Sequence, residues 1–197
     1  MQHDASDRQS GTGRLIYLVG PSGSGKDSLI DASRERLAAA GVQIARRVIT
    51  RSAEAKGEAA HGVTSEQFEA LRAQGAFAMY WRANGLDYGI PVQVDQWLAA
   101  GRAVLVNGSR AYLAEARRRY PNLLAVLVQV RPEVLRERLL ARGRESAEEV
   151  EQRLARNARL QAQADPSLHL LDNSTTLETA VAALFALLRD EGVLPQV

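Results

Sequence analysis

The chain contains no cysteine, which excludes disulfides, thiolate metal sites and cysteine nucleophiles together. No apolar run reaches the length needed to cross a bilayer, so no membrane partner is expected. Lysine is nearly absent: Lys26 and Lys56 are the only two, and every other strong cation is arginine. With no lysine beyond Lys56, the Asn-Lys-x-Asp signature by which GTPases read guanine has no place to stand. Aromatics are few, 5% of the chain, and are not interleaved with the arginines. A stacking platform for single-stranded nucleic acid is therefore not expected.

What is present suffices for one domain with a sizeable interior, at 197 residues and a net charge of +2. Residues 1–13 are polar and Gly/Ser/Asp-rich, with no apolar signal-peptide core. They read as a disordered leader ahead of a single domain over 14–197, with the cytoplasm as the expected compartment. The arginine bias reflects either codon usage or a need for bidentate guanidinium groups, which suit phosphate clamps.

The most informative stretch is the strand-like run Arg14-Leu15-Ile16-Tyr17-Leu18-Val19, followed at once by Gly20-Pro21-Ser22-Gly23-Ser24-Gly25-Lys26-Asp27 and an amphipathic helix pattern. Glycines at these spacings let the backbone turn tightly and bring its N–H groups against phosphate oxygens. The helix that follows points its positive dipole end at the same spot, and Lys26 reaches the β/γ-phosphates. Pro21 and Ser22 stiffen the entrance. The strand before and the helix after are the context that separates this pattern from a chance Gly/Ser turn. Asp27 departs from it, standing where Ser or Thr normally helps hold Mg²⁺.

Strands and helices alternate along the rest of the chain. Ser28 to Ala40 reads as a helix, Val42 to Ile49 as a second strand, and Thr50 to Thr64 as a loop or small insertion. A short helix from Ser65 precedes a hairpin, Ala76 to Arg82 and Asp87 to Ile90, around Asn84-Gly85. Pro91 to Ala100 reads as a helix opened by its proline, Ala103 to Val106 as a buried strand, and Leu123 to Val130 as a strand covered on both faces. Pro132 to Arg142 is helical and is broken by Gly143. Ser146 and Glu149 form a capping box for a helix reaching about Gln163. Leu168 to Leu171 is the last strand, and Thr175 with Glu178 caps the final helix. The fold class is α/β with a mainly parallel sheet.

A phosphate loop in such a fold suits a kinase in which mobile flaps exclude water from donor and acceptor. Arg51, at a strand end, is placed to grip an acceptor phosphate. Arg142 and Arg144 bracket Gly143 in a flap, and Arg153 lies three helical turns beyond Arg142. Surface solvation is the alternative for each arginine, and the better one for Arg46, Arg117, Arg118 and Arg119. A hydroxyl acceptor would call for a carboxylate base, for which only Asp87 and Asp95 are nearby.

The sequence Gly-Pro-Ser-Gly-Ser-Gly-Lys26, Ile-Thr-Arg51, Gly57-Glu58, Tyr88-Gly89 and the Arg-Gly flap resemble the guanylate kinase family over most of the chain. Three departures, Lys26-Asp27-Ser28-Leu29, Trp81-Arg82-Ala83-Asn84-Gly85-Leu86 and Val106-Asn107-Gly108-Ser109-Arg110, are together similar to its ribose 1,5-bisphosphate phosphokinase branch. Arg142-Gly143-Arg144-Glu145 agrees with that branch's flap. The resemblance implies a P-loop NTPase architecture of three α/β/α layers around a five-stranded, mainly parallel sheet. It is like that of nucleoside monophosphate kinases, with an acceptor-binding insertion at about 50–90 and a lid at about 142–150.

It implies ATP as donor, Mg²⁺ as cofactor, and a phosphorylated ribose as acceptor, in phosphonate breakdown or the supply of activated ribose. Catalysis falls to Lys26, Arg142 and Arg153. Donor binding falls to Gly20 through Ser28 with Arg144 and Asn173. Acceptor binding falls to Arg51, Glu58, His61, Trp81, Tyr88, Asn107 and Arg110. For Asn173 the alternative is a turn residue before Thr175, and for His61 an exposed loop histidine. The family's Asp-Tyr-x-Phe stretch is replaced here by Ala59-Ala60-His61-Gly62-Val63, which puts guanine recognition in doubt. The loop's Asp27 and the strand's Asn107 look as though a carboxylate had changed sides, so Asp27 or Ser28 is expected to contact Mg²⁺. A guanylate-type kinase and a non-catalytic binding module remain the alternatives, and a homodimer is left open.

Overall fold

Apolar runs without alternation make strands that are buried on both faces, and such strands pair in parallel beneath covering helices. A computed structural model describes residues 13–51, 60–162 and 165–196. In chain order the first half comprises β1 (Leu15–Val19), α1 (Lys26–Ala39), β2 (Gln43–Ile44), β3 (Arg47–Ile49), β4 (Ala60–Gly62), α2 (Ser65–Ala73), β5 (Phe77–Ala83) and β6 (Leu86–Pro91). The second half comprises α3 (Gln93–Ala99), β7 (Val104–Asn107), α4 (Leu113–Arg119), β8 (Leu124–Gln129), α5 (Pro132–Arg142), α6 (Ala147–Ala162), β9 (His169–Asp172) and α7 (Leu177–Asp190).

Five strands form one sheet in the order β2-β7-β1-β8-β9, and every pairing in it is parallel. All five residues of β1 are fully buried. Ile16 and Leu18 face a cluster with Leu29 and Leu37 of α1 and Leu184 and Leu188 of α7. Leu15, Tyr17 and Val19 face the other side, with Val94 and Leu98 of α3 and Leu113 and Ala116 of α4. Those two clusters make three layers around the sheet. The chain runs from β1 out to one edge and later crosses β1 to reach β8. The crevice at this reversal, over the carboxyl ends of the strands, is where such sheets bind ligands.

A second sheet of four strands, β4-β3-β6-β5, stands beside the first. β3 pairs with β4 in parallel and with β6 antiparallel, and β5 with β6 antiparallel. The turn between β5 and β6 has positive φ at both Asn84 (50°) and Gly85 (76°), the pair of left-handed residues that a tight hairpin requires. Met79 and Ile90, both fully buried, join this sheet to the core of the first.

Four expectations change. The run from Val42 to Ile49 is two strands in different sheets. The Ala45 N–H still bonds to Leu105 O (2.9 Å) at the edge of the first sheet, after which the chain bends away to pair with β6. Pro91 ends β6 rather than opening α3, a strand-end position where its missing N–H costs no ladder bond. Thr176, not Thr175, caps α7: its hydroxyl accepts from the Thr179 N–H, and Glu178 takes no part. Gly13, read as leader, is buried, and its N–H donates to Leu98 O at 2.7 Å. The capping box of α6 forms as expected. The Ser146 N–H donates to Glu149 (2.7 Å), and the Glu149 N–H donates to the Ser146 hydroxyl (3.3 Å).

Candidate active site

The loop from Gly20 to Gly25 leaves the carboxyl end of β1 and delivers the chain to α1, whose first residue is Lys26. Gly25 has φ 83°, and a Cβ there would stand 2.5 Å from the Asn173 amide nitrogen, so both conformation and space demand glycine. The Ser24 N–H bonds to Pro21 O (3.0 Å), and Lys26 Nζ donates to Gly20 O (2.7 Å). Asn173 is 3% exposed; its Nδ2 donates to Ser24 O at 2.7 Å and its N–H to Gln129 O at 2.8 Å.

In front of the loop lies a cavity of about 590 Å³. The second sheet contributes Arg47, Trp81 and Tyr88 to its wall, and the chain just past β3 contributes Arg51. The end of β7 contributes Asn107, the segment after it Arg110, and α5 and α6 contribute Arg142 and Arg153. Six strong cations thus line it, counting Lys26, Arg47, Arg51, Arg110, Arg142 and Arg153, against one carboxylate among the described residues, Asp27. Such a wall favours ligands carrying several negative charges. Asp27 Oδ1 accepts from Asn107 Nδ2 at 2.6 Å, with Arg47 at 3.8 Å. Trp81 stacks on Tyr88 (centroids 5.8 Å apart, planes at 8°) and packs on Tyr112 (5.6 Å). Arg153 pairs with Glu145 at 2.5 Å, and Arg110 donates to the Leu160 carbonyl.

A family model described as guanylate kinase matches residues 12–191. A ribose 1,5-bisphosphate phosphokinase PhnN of Pseudomonas paraeruginosa is 68% identical over 89% of this chain and 95% of its own length. One from Thiobacillus denitrificans is 49% identical over 90% and 94% respectively. The chain belongs to the guanylate kinase family, in its ribose 1,5-bisphosphate phosphokinase branch. The crystal structure of guanylate kinase from Anaplasma phagocytophilum shares the fold, with a TM-score of 0.64 at 17% identity, covering 94% of this chain and 98% of that one. The expected three-layer P-loop architecture is therefore the observed one.

Within this guanylate kinase frame, Gly20 to Ser28, Arg51, Trp81, Tyr88, Asn107, Arg110, Arg142 and Arg153 gather at one place; of that loop only Ser24 is tucked behind the wall, fully buried. Three expected residues do not line it. Asn173 lies behind the phosphate loop and holds it by Ser24 O. Arg144 is exposed beyond the end of α5, and His61 is exposed on β4, the outer strand of the second sheet. Glu58 falls outside the described residues.

The sequence reading missed Arg47 and the device that fixes the segment after β7. The Tyr17 hydroxyl accepts from the Ser109 N–H (2.9 Å) and donates to Ser109 O (3.0 Å). Burial pushes this phenol well above its ordinary pKa, so it stays a donor at any working pH. A Cβ at Gly108 would meet the Tyr17 ring at 2.2 Å, so the segment carrying Asn107 and Arg110 lies flat on that ring. A tyrosine inside an otherwise aliphatic β1 was the one available signal. For Arg47 it was a charge at an inner position of an apolar run.

Proposed function

We propose that the protein transfers the γ-phosphoryl group of ATP to ribose 1,5-bisphosphate, giving 5-phospho-α-D-ribosyl 1-diphosphate and ADP. The cation-lined cavity in front of the phosphate loop carries this reading, since two polyanions must meet there and six cationic side chains surround the meeting place. The attacking atom is a phosphate oxygen, already anionic, so no general base is required. Neither Asp87 nor Asp95 lines the cavity, and Asp95 is engaged by the Tyr120 hydroxyl (2.6 Å) and Arg119 (2.7 Å). Catalysis is then alignment and charge neutralisation in a preorganised site.

In this reading the amides of Gly20 to Gly25 and Lys26 hold the donor phosphates. Arg142 and Arg153 neutralise the charge on the phosphoryl group in transit, and Arg51 holds the acceptor. Trp81 and Tyr88 form an apolar wall for the sugar, and Arg110 and Asn107 close the far side. Arg144 and His61 keep a role only if the lid and the acceptor-binding insertion close on substrate.

The donor set also fits Mg²⁺. Asp27 supplies a carboxylate and Ser28 a hydroxyl, both on the cavity wall, and Asn107 Oδ1 is buried there without a hydrogen-bond partner. Held by these residues, the ion would supply positive charge to offset that of the phosphates. A guanine ring, by contrast, presents N–H donors that ask for a carboxylate. The single one on the described wall is tied to Asn107.

The test is ADP release from ATP with ribose 1,5-bisphosphate, GMP and ribose 5-phosphate compared side by side. The bisphosphate is expected to turn over fastest. Turnover with GMP and none with the bisphosphate would reverse the assignment.

A further inference from the structure

Arg47 belongs to none of the motifs that identify the family, yet its side chain is only 11% exposed, against 31% for the cavity's Arg153. A guanidinium so enclosed has lost much of its hydration, and only facing oxygen atoms make up that loss. Among those that face it are Asn107 O, which accepts at 3.3 Å, and Asp27 Oδ1 at 3.8 Å. The group is also held in place from below. It lies 5.3 Å from the centre of the Tyr88 ring, which stacks in turn on Trp81, itself packed on Tyr112. A cation over the face of an aromatic ring is attracted to it, which steadies the guanidinium before any ligand arrives.

Arg51 leaves the end of the same strand, four residues on, and lines the same cavity. The acceptor proposed above carries two phosphates separated by a ribose. We infer that Arg47 is a specificity-determining residue of the acceptor side: with Arg51 it forms a two-guanidinium clamp that selects an acceptor bearing two phosphate groups. This rests on the proposed reaction and adds to it the basis of acceptor choice.

The experiment compares the wild type with Arg47→Met and Arg47→Lys on ribose 1,5-bisphosphate and on ribose 1-phosphate, each with saturating ATP and Mg²⁺. Acceptor Kd values are measured calorimetrically alongside. Arg47→Met is expected to raise KM and Kd for the bisphosphate by about 10–100-fold, the loss typical of a charge-assisted contact. Its loss on ribose 1-phosphate should be smaller by about tenfold or more, so that selectivity for two phosphates collapses. Arg47→Lys, keeping the charge but not the fork, should recover part of the KM. Equal losses on both acceptors would overturn the clamp. So would an unchanged KM with a raised Mg²⁺ midpoint, which would assign Arg47 to Asp27 alone. If the wild type does not turn over the bisphosphate, the proposed reaction fails. The clamp is then decided by Kd, which must still weaken in Arg47→Met.

Discussion

The two sheets meet at one cavity but are built on different terms. The five-stranded sheet is apolar on both faces, parallel throughout, and presents to the site only what leaves its carboxyl ends: the phosphate loop, Asn107 and Arg110. The four-stranded sheet is mixed, and on one face of β5 and β6 the fully buried Met79 and Ile90 each stand two residues from a partly exposed aromatic, Trp81 and Tyr88. Its chemistry comes from the middle of strands, on the face that looks into the cavity. A donor platform that must hold the same polyphosphate in every relative can be a rigid, two-sided core. The wall opposite is the open end of a face whose other end, Met79 and Ile90, is core, so Trp81 packs on that core while it lines the cavity.

The comparison can be broken from its most demanding end. Lys26→Ala removes the platform's own cation and should lower kcat by about 1,000-fold or more, with circular dichroism and Tm little changed. Full residual activity would discard the phosphate site. Arg142→Met and Arg153→Met should each cost about 100–1,000-fold in kcat while the Kd for ATP moves far less, as measured by single-turnover kinetics against nucleotide titration.

Asp27→Ser should lower turnover by about 100-fold and raise the Mg²⁺ concentration needed for half-maximal rate, and adding Asn107→Asp should restore part of it. An unaltered Mg²⁺ titration in Asp27→Ala would remove Asp27 from the ion's surroundings. Next come the variants that loosen the platform without touching a ligand. Tyr17→Phe leaves the Ser109 N–H and C=O without their shared partner and should cost about 1–3 kcal/mol, read from the denaturant midpoint. Gly108→Ala, with its Cβ at 2.2 Å from the same ring, should cost about as much through overpacking. His61→Ala, on the outer strand of the second sheet, should alter kcat/KM by less than about threefold. A larger loss would mean that the second sheet closes much further over the acceptor than the open cavity indicates.

The same contrast explains what could be read beforehand. Strands β1 and β8 were legible because continuous apolar runs between turn residues have one reading in an α/β chain. The capping box at Ser146 and Glu149 was legible because it is a local hydrogen-bond pair. The strand from Val42 to Ile49 was misread because nothing local marks the residue at which a chain leaves one sheet for another. That choice is made by which partner, β7 or β6, offers free backbone groups. Asn173 was read either as facing a nucleotide or as a turn residue before Thr175 because its place after the last strand is visible in sequence, whereas its hold on Ser24 O is not.

Taken alone, the amino-acid order determined the phosphate loop, the alternation of strand and helix, and the break at Gly143 between two arginines, because each depends on neighbours a few residues away. Only the tertiary structure decided that Arg47 enters the cavity beside Asp27, that Asn107 is bound to that carboxylate across 80 positions, and that Tyr17 pins Ser109 across 92. Those contacts arise where the ends of parallel strands converge. Which side chains converge is set by sheet order, and sheet order is a property of the whole chain.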